Sequence, residues 1–590
     1  MKRALIAVLF CAAACPAADD AVMRAMRDEL ARSMKKLQLE SLQKPYFISY
    51  RIVETGGCSV SATVGALIGN NCDTAVSSGR FRSLGVEVRI GDYARDNTNF
   101  YVPMTSAGVV RPLSSGVAMP IEDNYDEIRR QLWLATDSAY KNSLDLYAKK
   151  KATLENRHRT EDAPDFSKEP AVTNNEAAST VSWNAAAMER IVKPLSAIFR
   201  ETPGIEDSEV RLSANHWYTR YVNSEGTSYT RDVSFVTLQA NAFAQATDGM
   251  TLTDFDTMYA HALDQLPPMA EMTKRVRALA TRLTSLQQAA LVEKYTGPVL
   301  FEGQAAAEIF YQGVGNVLVA VPRVVIDDPR FEAVFNNNTG LTDRIGSRIL
   351  PDYLSVSDNP LATDFHGQPF FGGYPVDDEG VKASAHTIVQ NGVLKTLLHT
   401  RALLPGTAES TGNKRGMSAS PSNLIVSAGR SMTASQLKAD LIRRVTDRGL
   451  PFGIIVRRIG NPQITLSLNR TVVIISGGSM PGSLSIEPLT EAYKVFPDGH
   501  EELARNLTVN GMTLASFKEI AAVSDTPYVY TAPMRIMVRT PAMPTSFITP
   551  GGPNLVSAAV PSLLFDELML QRPAGDIPTL PVTPRPTFSR

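Results

Sequence analysis

Residues 297–312, GPVLFEGQAAAEIFYQ, put Glu308 in an alanine-rich stretch, one residue after Ala307 and four before Gln312, where a metal-dependent hydrolase would be expected to carry histidines. The stretch reads as a buried strand running into a helix. A second group is His386 with His399, in SAHTIVQNGVLKTLLHTR (384–401). With Asn391 and Gly392 in a two-residue turn, His386 faces Leu397, and His399 lies one diagonal step away on the same face. Such a pair can reach one shared metal, although no third ligand is apparent; the alternative is two strand histidines that pack or hydrogen-bond. DFHGQPFFGGYPVDDEG (364–380) adds His366, Asp377, Asp378 and Glu379. Its carboxylates suit a hard cation, or form an acidic surface turn. After TVVIIS, Gly477-Gly478-Ser479-Met480-Pro481 imitates a nucleophile elbow, but proline takes the fifth position and the seven histidines supply no obvious base. His216 lies in an alternating segment with no second ligand at metal spacing, and reads as a half-buried strand residue.

The elements that must carry these residues follow from periodicity. Met23, Met26, Leu30, Met34 and Leu37 recur at helical spacing as a core-facing stripe. YFISYRIV (46–53), SVSATVGALI (59–68) and RSLGVEVRIG (82–91) alternate as half-buried strands. A long helix is expected over 125–151, then a solvated loop over 155–176 and a helix over 184–199. EVRLSANHWYTRYV (209–222) and SYTRDVSFVTLQANAFA (228–244) form a hairpin around NSEGT. A helix from Met269 to Gln288 follows. Beyond Gly297 short strands and glycine turns take over, so a domain boundary falls near 290–297. The reading is an α+β protein: a mixed α/β domain at 19–292, a strand-rich, antiparallel and barrel-like domain at 293–572, and a proline-rich tail at 573–590.

At 590 residues the chain exceeds what one core usually organises. Lys and Arg number 59 against 60 Asp and Glu, a formal charge of -1, so no field draws the whole chain to nucleic acid. Lys2 and Arg3 precede the apolar run Ala4–Ala14, too short to span a membrane, and residues 1–18 read as a secretory signal. Export to the periplasm or medium is expected. Ala12-Ala13-Ala14-Cys15 loosely resembles a lipoprotein cleavage box without its usual leucine, so a lipid anchor is the variant. With Cys11 and Cys15 in the signal, Cys58 and Cys72 remain to form a disulfide in a permissive compartment, or to stay as two buried thiols.

YTGPVLFEGQAAAEIF (295–310), PVDDEGVKASAHTIVQNGVLKTLLHTR (375–401), STGNKRG (410–416) and VPSLLFDELMLQRP (560–573) occur in the order seen in the TldD/PmbA proteins, which are peptidase-related. The chain resembles that family over roughly 295–570, with a fainter continuation from about 46 to 290, and is similar to its exported branch. The resemblance implies an N-terminal α/β domain and a strand-rich C-terminal one. In the family's TldD-type subunits the helix after the Gly-Pro strand carries His-Glu-x-x-x-His, and a cysteine near the C-terminus completes a zinc site. Ala307, Glu308 and Gln312 fall on those three positions, and no cysteine follows Cys72. Alanine has no donor atom, and an amide is a poor zinc ligand.

The resemblance therefore implies a metal-free PmbA/TldE-type subunit with no cofactor, binding a peptide or protein substrate beside a zinc-bearing TldD-type partner. It puts Asp377, Asp378, Glu379, Gly380, Gly412, Asn413 and Arg415 near a central cleft where an extended peptide can be gripped. Two other readings stay open: a hydrolase using His386, His399, His366 or the 377–379 acids, and a homodimeric scaffold.

Overall fold

The computed structural model describes residues 20–72, 81–102, 117–157, 163–179, 183–322, 324–328, 330, 340–416, 418–465, 484–533, 555–573, 579–581 and 583. Residues 1–18, read as a signal, Gly477–Pro481 and most of the proline-rich tail lie outside the described residues.

Numbered in chain order, an eight-stranded sheet contains β1 (Phe47–Thr63), β2 (Ala66–Asn70), β3 (Phe81–Arg89), β5 (Val117–Ala118), β6 (Thr173–Asn175), β7 (Asp207–Asn223), β8 (Ser228–Gln245) and β9 (Thr251–Ala260). Its order is β5-β3-β1-β7-β8-β6, with β2 on β1 and β9 on β8. The strand expected at 46–53 and the first half of the one expected at 59–68 are a single strand, the second half belonging to β2: β1 pairs with β7 without a break from Ser49↔Asn223 to Ala62↔Val210. A continuous partner carries the backbone through Gly56-Gly57, where local sequence suggests an interruption. The chain turns instead at Val64-Gly65, both at positive φ.

Even-numbered β1 residues look to one face of this sheet, as a period of two requires. Ile48, Tyr50 and Ile52 pack against Met23, Met26 and Leu30 of α1 (Ala21–Lys36) and Ile128 and Leu132 of α2 (Tyr125–Arg157). Val60 and Ala62 pack against Met188 and Val192 of α3 (Ala185–Ala197) and Val276 and Leu279 of α4 (Met269–Gln288). The Asp20 carboxylate caps α1 by accepting from Val22 N at 2.9 Å. The opposite face of the sheet receives the second half of the chain.

Part of the loop expected to be solvated is core. Asp165, Phe166 and Ser167 are buried. Lys150 Nζ donates to Asp165 at 2.5 Å, and the Phe166 ring lies between the Arg89 and Arg401 guanidinia, 3.5 and 3.7 Å from its centroid. The apolar and charged residues of this loop were readable as composition; the partners that bury them are remote in sequence.

Cys58 and Cys72 form a disulfide, Cα to Cα 4.6 Å, closing the β1–β2 hairpin over 14 positions. In the loop-entropy account this contributes on the order of 3 kcal/mol. Thermal unfolding with and without reductant should therefore show a lower midpoint for the reduced protein and for Cys58→Ser/Cys72→Ser; equal midpoints would assign the bridge no stabilising role.

The C-terminal half has two larger sheets. One contains β10 (Lys294–Phe301), β20 (Gly453–Ile459), β21 (Leu489–Val495), β22 (Glu501–Ala504), β23 (Thr508–Asn510), β24 (Ile520–Val523) and β27 (Leu563–Gln571), in the order β22-β21-β20-β10-β27-β23 with β24 on β27. The other contains β12 (Leu354–Asp358), β15 (His386–Gln390), β16 (Val393–Leu394), β19 (Asn423–Ala428), β25 (Tyr528–Pro533) and β26 (Leu555–Val560), in the order β16-β15-β12-β19-β26-β25. Short ribbons pair β4 (Phe100–Tyr101) with β11 (Val325–Ile326), β13 (Asp364–Phe365) with β14 (Gln368–Pro369), and β17 (Lys414–Arg415) with β18 (Ser418–Ala419).

The fold is α+β, but the antiparallel, barrel-like expectation is corrected: β10 pairs with β20 and β19 with β26 in parallel, so both sheets are mixed, and among the described residues neither sheet closes on itself. The reason is the helix between them. α5 (Gly303–Gly313) contributes Ala305, Ala306, Ala307, Ile309 and Phe310 to one core with Val456 and Phe565 of the first sheet and Val356, Leu424 and Ala558 of the second. Each sheet thus buries its face on the helix, and the small alanine side chains let both approach. On the outer face of the first sheet, α6 (Ala434–Asp447) covers Leu300 and Ile455 with Leu437 and Leu441.

Candidate functional site

A helix buried on every side must satisfy its polar side chains internally. Gly303, at φ +54°, lets the chain turn out of β10 into α5, and every residue from Gln304 to Gly313 is buried. Gln304, Glu308 and Gln312 stand four apart and so form one polar stripe along the helix. That stripe lies against the segment that follows β20. Gln304 brackets the Ile459 backbone, donating to its carbonyl at 3.0 Å and accepting from its N–H at 2.9 Å. Gln312 donates to Gly460 O at 3.1 Å and accepts from Glu487 N at 2.9 Å.

Glu308 sits at the centre with no exposed surface. Its Oε1 accepts from Asn461 Nδ2 and from the Tyr530 hydroxyl, each at 2.7 Å, and its Oε2 accepts from Gln312 Nε2 at 2.7 Å. The Tyr530 phenol is pushed well above its ordinary pKa by burial and then by the Glu308 charge, so it is a donor at any physiological pH.

The zinc set implied by the resemblance does not fit these residues. Ala307 offers no donor. Gln312 presents an amide already engaged at both ends. The described residues hold no group of three or more His, Cys, Asp or Glu placed to bind a metal. Sequence reasoning found Ala307, Glu308 and Gln312 but missed Gln304, Asn461 and Tyr530. Gln304 was findable from the four-residue repeat; Asn461 and Tyr530 lie 153 and 222 positions from Glu308 and carry no local signal.

Of the seven residues expected to grip a peptide, those of the 377–380 loop lie against the eight-stranded sheet, and Gly412, Asn413 and Arg415 contact the C-terminal half. Asp378 meets Arg231 at 2.7 Å, accepts from Gly416 N at 2.7 Å and lies 2.9 Å from Arg51 Nη1. Burial favours its neutral form, but the two arginines outweigh this and hold its pKa below the usual carboxylate range. Tyr221 donates to Glu379 O at 3.2 Å, and a side chain at Gly380, φ +81°, would strike Thr227 and Tyr221. Asp377 is fully buried and accepts from the backbone N–H groups of Glu379, Val381 and Lys414. Burial and then the neighbouring Glu379 charge push its pKa up to about 7. Glu379 accepts from Arg401 N at 2.8 Å and pairs with Lys414 at 3.4 Å.

Gly412, at φ +68°, is close against the Lys382 backbone. Asn413 donates to Asp358 at 2.9 Å, and Arg415 donates to Pro421 O at 3.2 Å and Leu555 O at 2.7 Å. These residues hold the halves of the protein and the local turns together; the three acids are buried rather than forming a surface turn, and among the described residues they belong to no group of three or more metal-ligating side chains.

The hairpin at Asn391-Gly392 turns with both residues at positive φ, yet the cross-strand facing of His386 and Leu397 does not occur. The β15–β16 ladder runs Gln390↔Val393 and Val389↔Leu394, and Lys395 N donates to Ile388 O at 2.8 Å before the two strands part. Leu397 and Leu398 are wholly buried, and Leu398 pairs with Val319 instead, so core burial draws the chain off the hairpin. His386 donates to Thr411 O at 2.8 Å, and His399 donates from Nδ1 to Thr400 O at 3.0 Å. Burial lowers the His399 pKa and favours the neutral ring. His366 is exposed, and His216 in β7 contacts Asp232 at 2.5 Å.

Residues 294–572 match the profile of the PmbA/TldA metallopeptidase C-terminal domain. The chain is 30% identical over 118 residues to a metalloprotease of Methanocaldococcus jannaschii, covering 20% of this chain and 23% of that protein. To metalloprotease PmbA of Escherichia coli O157:H7 it is 28% identical over 103 residues, covering 18% and 19%. The matched stretches thus span about a fifth of those relatives' own lengths. In fold the chain is similar to a Thermotoga maritima protein described as a modulator of a DNA gyrase, at TM-score 0.58 and 16% identity, covering 93% of this chain and 99% of that one. It is also similar to TldE of Thermococcus kodakarensis, at TM-score 0.55 and 12% identity, covering 93% and 100%.

Proposed function

Because this chain belongs to the TldD/PmbA family of metallopeptidase-like proteins, we propose that it is a non-catalytic subunit of that family, one that binds peptide and completes a cleft with a zinc-bearing partner. The observation that carries this reading is the chemistry at the three family positions. Ala307 cannot ligate, and the Gln312 amide is spent on Glu308, Gly460 and Glu487. Glu308 on its own cannot replace a metal as activator of water, whose pKa is about 15.7 without one. Asp377, Asp378, Glu379, Gly380, Gly412, Asn413 and Arg415, the residues proposed for peptide binding, then act indirectly, by fixing the wall of the cleft. We further propose export to an oxidising compartment, a reading the Cys58–Cys72 bridge supports.

The test is to purify the chain in zinc-containing buffer, measure its metal content, and incubate it with unfolded peptides. Peptide should be retained uncut, with cleavage appearing only when a zinc-bearing family member is added. Chelator-sensitive cleavage by this chain alone, with one zinc bound per chain, is the result that removes the proposal.

A further inference from the structure

We infer that Glu308 is the centre of a hydrogen-bonded cross-link, caged by Tyr530, Asn461 and Gln312, that fastens helix α5 to β25 and to the Arg458–Ile464 strap. The inference rests on the metal-free reading of α5, and it is independent of any partner or peptide.

The geometry makes the carboxylate a junction. These donors come from three places: Tyr530 from the middle of β25, in the six-stranded sheet; Asn461 from the strap that continues the end of β20, in the seven-stranded sheet; and Gln312 from the next turn of α5. A zinc ion joins distant segments by gathering their donors around one positive centre. Here the signs are inverted, and an acceptor gathers the neutral donors of Tyr530, Asn461 and Gln312. A buried carboxylate is tolerated when its oxygens accept several hydrogen bonds, and each such bond to a charged group is stronger than a neutral one.

The strap carries the junction further. Arg458 donates to Asp254 of β9 at 2.9 Å, and Gln239 of β8 donates to Ile464 O at 2.6 Å. The same seven residues therefore hold Glu308 on one side and the eight-stranded sheet on the other. In this view Glu308 is a structural residue with a stated mechanical connection, rather than the remnant of a general base.

The experiment compares amide hydrogen exchange in the full-length wild type, Glu308→Ala and Glu308→Gln. Deleting the acceptor leaves three buried donors without it, and the amide turns a donor toward them. Exchange in the 458–464 strap and in β25 should accelerate by roughly tenfold or more, as local opening becomes easier. The β1–β3 pairing, Phe47↔Arg89 to Thr55↔Phe81, includes no residue of the strap or of β25 and should keep its rate. Wild-type rates in the strap and β25 of Glu308→Ala overturn the cross-link.

If Glu308→Ala does not fold, Tyr530→Phe serves, since it keeps the carboxylate and two donors. It should show a smaller acceleration confined to the same two segments, and unchanged rates there overturn the inference equally. Elemental analysis of the same wild-type preparation separates the two readings. One zinc per chain sinks the metal-free reading, whereas unaltered exchange in zinc-free protein sinks only the cross-link.

Discussion

Asp378→Ala should lower the free energy of unfolding by about 3–5 kcal/mol, the cost of breaking a buried ion pair from one side. The Asp378 side chain is 5% exposed, between Arg51 at 19% and Arg231 at 8%. Removing it strands two guanidinium groups on the strand face beneath the 376–380 loop. Arg231 also donates to Val376 O at 2.9 Å, so the loop's docking loosens with the same change. Urea denaturation with an unchanged slope would give the loss directly. A loss below about 1 kcal/mol would place the pair with surface salt bridges, whose contribution is small. A companion triple variant, Arg51→Met/Arg231→Met/Asp378→Leu, should recover much of the loss, because it removes the stranded charges as well.

Asp254→Ala is expected to cost as much and, in addition, to change the response to acid. Asp254 of β9 has a side chain 2% exposed, 2.7 Å from Arg282 of α4 and 2.9 Å from Arg458 of β20. Burial opposes its ionisation, but Arg458 and Arg282 together hold its pKa below the ordinary value. A carboxylate with a depressed folded pKa contributes stability that is fully present above its unfolded pKa, about 3.9, and is lost as pH falls through the folded pKa. Asp254 and Asp378 both behave this way, so the wild type should weaken steeply below about pH 4. Asp254→Ala should be less stable at neutrality and have a shallower acid limb.

Asp377 acts with the opposite sign. Its folded pKa is raised to about 7, so the folded state retains a proton that the unfolded state releases, and stability from this group declines between about pH 4 and 7. Unfolding free energies measured across pH 2–8 for the wild type and Asp254→Ala decide the matter; parallel acid limbs would remove Asp254 from the account.

Elements whose period is local were legible in the sequence. The methionine stripe of α1, the 207–245 hairpin, the helix Met269–Gln288 and the positive-φ turn at Asn391-Gly392 all appear where side-chain periodicity or turn chemistry places them. Continuity across Gly56-Gly57 was not, because it depends on β7 lying alongside. The histidine pair illustrates the same limit: the turn is local and correct, but the pairing goes no further than Lys395 because Leu397 and Leu398 are claimed by a core assembled from distant residues.

At the candidate site the division falls between identity and surroundings. Residue types alone determined that an alanine and an amide flank Glu308 at 307 and 312, neither of them a good zinc donor, since donor chemistry belongs to the side chain itself; that these positions correspond to ligands is what the family resemblance implies. Only the tertiary structure decided what became of the glutamate between them. Its partners Asn461 and Tyr530 are brought to it by the packing of two sheets on α5, and no pattern along the chain encodes that meeting. The acids 377–379 make the same point: their charge is written in the sequence, but whether they face solvent, a metal or Arg51 and Arg231 is set by which strand face the loop lands on. Periodicity and donor chemistry are properties of neighbours and single residues; a charge's partner and a carboxylate's cage are properties of the folded whole.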